Sequence, residues 1–113
     1  MYQLCFYVPA SHLELVKDAL FAAGAGQYKG YDRCAWQILG QGQFRPLMGS
    51  NPFMGDKDQI STIPEYKVEM ICVEDKINQA LNALIASHPY EQPAFSIFRI
   101  LNSDDCGSSL QPK

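Results

Sequence analysis

The chain has 113 residues, 47% of them hydrophobic, with nine Lys and Arg against twelve Asp and Glu for a net charge of −3. That length fits one domain, and the apolar fraction excludes global disorder. The charges are scattered without a basic patch, which argues against a nucleic-acid partner, and no apolar run approaches the roughly eighteen residues a membrane span needs.

Residues 2–8, YQLCFYV, predict a central strand that Pro9 ends. In SHLE, Ser11 and Glu14 have the spacing of a capping box at a helix start. Leu13, Val16, Leu20 and Ala23 recur at helical intervals, and Gly24 and Gly26 stop the helix. Residues 31–39, YDRCAWQIL, alternate, with Cys34, Trp36 and Ile38 on one face of a second strand. Gly40 and Gly42 interrupt it, and QFRP resumes it. Residues 47–58 contain GSNPFMG and read as a loop. Residues 59–73 regain strand character with a break at Pro64. Asp75 is the expected cap of a second helix with Ile77, Leu81, Leu84 and Ile85 as its apolar stripe. Pro89 ends that helix, because the residue before a proline leaves the α region. Residues 94–101 form the last strand, and 102–113 is a polar tail expected to be flexible. One domain therefore spans 1–101.

The order βαββαβ is the split motif of the ferredoxin-like α+β fold. Right-handed crossovers place both helices on one face of a four-stranded antiparallel sheet. The other face would hold Cys5, Tyr7, Phe95 or Ile97, according to register. A bare apolar face needs a cover, and a second copy of the chain is an economical one, so self-association is expected. The four cysteines, Cys5, Cys34, Cys72 and Cys106, include no C-x-x-C pair, and MYQLCFYVP lacks the basic start of a signal peptide. Both point to a reduced, cytoplasmic protein.

Three stretches are candidates for chemistry. GAGQYKG, 24–30, follows a helix where a phosphate cradle would precede one, so it reads as a glycine cap and turn. Residues 40–55 are long for a connection in so small a domain. Arg45, beside Phe44 and Pro46, offers an anionic ligand its planar fork. Phe44, Leu47, Phe53 and Met54 are too apolar for a purely wet loop, which favours an arm reaching onto a neighbouring subunit.

The third stretch is SHPYEQPAF, 87–95. His88 and Glu91 are three apart, but Pro89 rules out a regular helix, so their geometry comes from a turn. It can be a rigid turn in which Tyr90 packs and the polar groups bond to backbone. It can hold a copper or zinc ion, with Cys34 as a third ligand from the same or another chain. It can shuttle a proton, with Glu91 fixing the tautomer of His88. No nucleophile–base–orienter set is visible, so no catalytic activity is expected.

SHPYEQPAFSIFRI resembles the HPYE-x-P signature of the PII-like insert domain of the Nif-three-like (YqfO) proteins, of which the CutA family carries a shorter version. The G-A-G, Y-D-x-C, G-x-G-x-F-R-P and N-P-x-x-G of residues 24–55 match that domain in order, so the resemblance covers roughly residues 1–101. It implies a ferredoxin-like fold that associates as a homotrimer, edge strands wrapping round neighbours. It also implies a regulatory or sensing module, read here as a stand-alone one, with a cleft between subunits near HPYE for a metabolite or a divalent metal. His88, Tyr90 and Glu91 match the motif, and Arg45 and Cys34 sit in matched segments. The dinuclear metal site of the full-length relatives lies in a flanking domain and is not carried over. Gln92 stands where the family often has an acidic residue, which argues against a strongly cationic ligand.

Overall fold

The computed structural model describes residues 1–109. It runs β1 (Tyr2–Pro9), α1 (Leu13–Ala22), β2 (Trp36–Phe44), β3 (Ser61–Cys72), α2 (Ile77–Ser87) and β4 (Phe95–Arg99). Short 3-10 turns occupy Ala10–His12, Glu74–Lys76 and Ser103–Ser109. The strands form one sheet in the order β2-β3-β1-β4, every neighbouring pair antiparallel. This is the expected ferredoxin-like arrangement, with each helix crossing between two strands.

The core follows from period-two alternation meeting helical stripes. Leu4, Phe6 and Val8 of β1 lie opposite Met70, Val68 and Tyr66 of β3, and all but Tyr66 are buried. Leu13, Val16 and Leu20 of α1, with Ala80 and Leu84 of α2, close over that face. Ile85 is 55% exposed, at the margin of its stripe and not within it. The register also settles the open face. Cys5 and Tyr7 point there, with Trp36 and Ile38 of β2, whereas Phe95 and Ile97 lie opposite Phe6 and Leu4 and share the helix-side face.

Several boundaries depart from expectation. Neither Ser11 nor Asp75 caps a helix. The chain enters each helix through a 3-10 turn, and Ser11 Oγ instead lies 2.8 Å from Nδ1 of His12. A tight i→i+3 turn uses backbone groups that a side-chain cap would otherwise satisfy. The second strand begins at Trp36, after residues 31–35, and runs unbroken through Gly40 and Gly42 to Phe44. Those glycines lie opposite Glu65 and Ile63. A Cβ on Gly42 would collide with the Glu65 carboxylate, so the missing side chain makes room for a cross-strand neighbour and does not mark a break. Pro64 likewise lies inside β3, opposite Gln41, one residue past the point where β1 ends at Pro9 opposite Glu65. The paired β2–β3 arm gives the molecule extents of 55 × 22 × 21 Å.

The segment 47–58 is a loop, as its glycines and prolines imply. Beyond β4, Lys29 Nζ donates to Ser103 Oγ at 2.7 Å and pairs with Asp104 at 3.0 Å. The remainder of the predicted tail, 110–113, lies outside the described residues.

Candidate functional site

The SHPYEQPAF turn begins where α2 gives out. Ser87 Oγ donates to the Ala83 carbonyl at 2.7 Å, and His88 takes the extended conformation (φ −73°, ψ 137°) that Pro89 imposes. The imidazole of His88 folds inward and is 7% exposed. Its Nε2 lies 2.6 Å from the Tyr7 carbonyl oxygen, and its Nδ1 accepts the Tyr90 N–H at 3.1 Å. A carbonyl only accepts and an N–H only donates, so Nε2 carries the proton and the ring is neutral. The strand pattern explains the first bond. β4 reaches only to Phe95, opposite Phe6, so no β4 residue pairs with Tyr7, and His88 takes its carbonyl instead. Burial holds the imidazole pKa below its usual value, against the opposing pull of the Tyr7 carbonyl.

With both ring nitrogens engaged, His88 has no lone pair to give an ion. Cys34 lies elsewhere, its thiol donating weakly to the Asp32 carbonyl at 3.7 Å and lining a separate hollow with Trp36 and Glu69. Among the described residues, no three His, Cys, Asp or Glu side chains gather closely enough to hold a metal. The structure therefore does not bring His88, Glu91 and Cys34 together within one chain. Nor does Glu91 orient His88. Its Oε1 accepts the backbone N–H of Asn51 at 3.1 Å, across the turn. Within one chain, the described residues do not assemble the copper or zinc set.

What the turn does form is one wall of a cavity of about 630 Å³. Tyr90 and Glu91 face Arg45, Leu47, Phe53 and Met54 across it, and Tyr7, Phe44 and Glu65 make its floor on the open face of the sheet. The segments 40–47 and 87–93 thus meet, and the apolar residues of the long loop line the hollow. The 45–58 excursion is pinned at its base, where the Asp58 N–H donates to the Pro46 carbonyl at 2.6 Å. Phe53 packs edge-on against His12 at 5.5 Å between ring centres and lies 6.3 Å from Tyr90. Arg45 forms no ion pair or hydrogen bond among the described residues, so its guanidinium is free at the rim.

Of these floor residues, Glu65 is not singled out in the sequence, and Tyr7 is expected on the open face but not as part of the site. The Tyr90 hydroxyl donates to Glu65 Oε2 at 3.2 Å, and the His88 and Tyr90 rings meet edge-on at 4.7 Å. Burial, then the neighbouring carboxylate, raises the Tyr90 pKa well above the ordinary phenol range, so this hydroxyl is a donor at any physiological pH. A signal for Glu65 existed in the glycines of β2, which announce a close approach from the facing strand. The Tyr90→Phe variant deletes one partly exposed hydrogen bond. Urea unfolding should show a loss of about 0.5–1.5 kcal/mol.

Topology and face arrangement define a ferredoxin-like α+β fold, the fold also seen in CutA and PII-like proteins. It superposes on CutA1 from Pyrococcus horikoshii with a TM-score of 0.66 at 17% identity, over 92% of this chain and 89% of that one. The PII-like protein CutA from Nostoc gives 0.60 at 16% identity, over 96% and 86%. No family model matches. The sequence relatives carry the comparison further. The chain is 37% identical over 105 residues to the GTP cyclohydrolase 1 type 2 homolog of Halalkalibacterium halodurans, covering 93% of this chain and 28% of that protein. It is 40% identical over 95 residues to the protein of the same name in Mycobacterium leprae, covering 84% and 25%. A Bacillus cereus protein related to NIF3 superposes with a TM-score of 0.77 at 29% identity, over 89% of this chain and 26% of that one. The chain is a homologue of one segment of the Nif-three-like proteins and spans about a quarter of the length of the curated relatives it matches.

Proposed function

We propose that the chain is a non-catalytic CutA/PII-like module that senses a small molecule in the cavity between the 87–93 turn and the 40–54 segment. The observation that carries this reading is the cavity itself. It has mostly apolar walls, about 630 Å³ of space and a few polar groups at defined places, which is the usual build of a small-molecule site. The groups nearest to acid–base chemistry are already committed, with both nitrogens of His88 bonded to backbone and the Tyr90 phenol held protonated. Self-association as a homotrimer belongs to the same reading. Trp36, Ile38 and Phe98 are each more than half exposed on or beside the open face, and the arm is long enough to reach a neighbour. A cavity at the base of the arm would then respond to assembly.

Thermal-shift screening of the chain against nucleotides, charged metabolites and divalent metals tests the sensor, because a ligand that prefers the folded form raises its Tm by mass action. At least one organic compound should raise Tm, and the gain should vanish in an Arg45→Ala/Glu91→Ala double variant. A response to metal alone, or a compound equally effective on the double variant, would remove the cavity from consideration as the sensor site. Sedimentation equilibrium should give the mass of three chains.

A further inference from the structure

Resting on that site, the geometry points to a ligand class: we infer that the cavity takes a zwitterion with an aromatic body, an aromatic α-amino acid in its simplest form. The cavity holds charge of both signs, and the structure keeps the signs apart. Arg45 lines it with no ion pair to either carboxylate, although Glu65 and Glu91 line it too. Each carboxylate spends one oxygen on the turn, Oε2 of Glu65 on the Tyr90 hydroxyl and Oε1 of Glu91 on the Asn51 N–H. Each keeps its second oxygen.

A ligand that were only an anion would gain Arg45 and face two carboxylates. A ligand that were only a cation would gain the carboxylates and face the guanidinium. A zwitterion satisfies both, its carboxylate on the Arg45 fork and its ammonium between the carboxylates. The same lining is also aromatic, with Tyr7, Phe44 and Phe53 offering rings that favour stacked or edge-on contact with another ring. A volume of about 630 Å³ admits such a molecule with room for ordered water.

Calorimetric titration of the full chain with L-phenylalanine, phenethylamine and phenylacetate separates the contributions of the two charges. L-Phenylalanine should bind about tenfold or more tightly than either single-charge analogue, the size expected when one charge-assisted hydrogen-bond pair is lost. In Arg45→Met its advantage over phenethylamine should disappear. In Glu65→Gln/Glu91→Gln, which keeps the acceptors for Tyr90 and Asn51, its advantage over phenylacetate should disappear. Either analogue binding as tightly as L-phenylalanine overturns the proposal, as does an L-phenylalanine affinity indifferent to all three substitutions. If no probe binds at millimolar concentration, the proposal falls and the thermal-shift screen reports separately on the site. Another compound acting through Arg45 and Glu91 would leave the sensor reading standing, and no active compound would remove that as well.

Discussion

Replacing His88 with alanine should destabilise the chain by about 3 kcal/mol, read as a lower urea midpoint with an unchanged slope. The imidazole is buried, and its removal strands the Tyr7 carbonyl and the Tyr90 N–H together. An unsatisfied buried backbone group costs about 1–3 kcal/mol, and the vacated space adds to that. Glu91→Ala at the exposed side of the same turn should change stability by no more than about 0.5 kcal/mol. If the two variants unfold at the same midpoint, His88 is not the anchor of the turn.

The same histidine makes stability depend on pH. Its folded-state pKa lies below the 6.5 of the unfolded chain, so above that pH it is neutral in both states and its stabilising role is complete. As pH falls below 6.5, the unfolded chain takes up the proton first and stability declines. The decline ends once pH passes below the folded-state value, where the folded form is protonated too. Urea midpoints measured between neutral pH and about pH 5 should show this slope, and His88→Ala should lack its share of it.

Gly26→Ala should cost about 2–4 kcal/mol, the second large effect. Gly26 has φ +78°, and its N–H donates to the Ile71 carbonyl while its own carbonyl accepts the Cys34 N–H, both at 2.8 Å. It is therefore the rivet between the end of α1, the edge of β3 and the approach to β2. A Cβ there would stand 2.8 Å from the Phe21 ring and 2.9 Å from the Cys34 carbonyl oxygen. The ring can swing aside, but the backbone carbonyl cannot without loosening the segment that leads into Trp36. Gly30, also at positive φ but with open space around it, is the control, and Gly30→Ala should cost only the backbone strain, about 1 kcal/mol. Equal losses at the two positions would mean that close packing at Gly26 contributes nothing.

The topology was legible because the alternation in β1 and β3 and the stripes of α1 and α2 are strong local patterns that tertiary packing did not have to override. Helix starts were less so, since Ser11 and Asp75 compete with backbone 3-10 turns of similar free energy. Gly40, Gly42 and Pro64 misled for a different reason. Each breaks a strand when judged alone, and each is permitted by what lies opposite, which only the register reveals. At the site, the turn and its proline were readable, as were Arg45 and the apolar character of the loop. The partner of His88 was not, because it is the backbone of Tyr7, a group every residue carries and no residue type advertises. Glu65 escaped for a related reason, being placed by its partner strand and not by its neighbours in sequence.

Pro64 also bears on how the protein behaves in a crowded solution. Along the outer half of the arm, β3 has β2 on one side and, among the described residues, no third strand on the other. Such a margin is an invitation to any extended peptide, including a misfolded sibling. An incoming strand would have to zip along β3 beyond Glu65, and the first residue it would meet there has no amide hydrogen to offer. The arm can project from the body while resisting runaway polymerisation along that side, and substituting Pro64 by a β-branched residue would open the way to fibres.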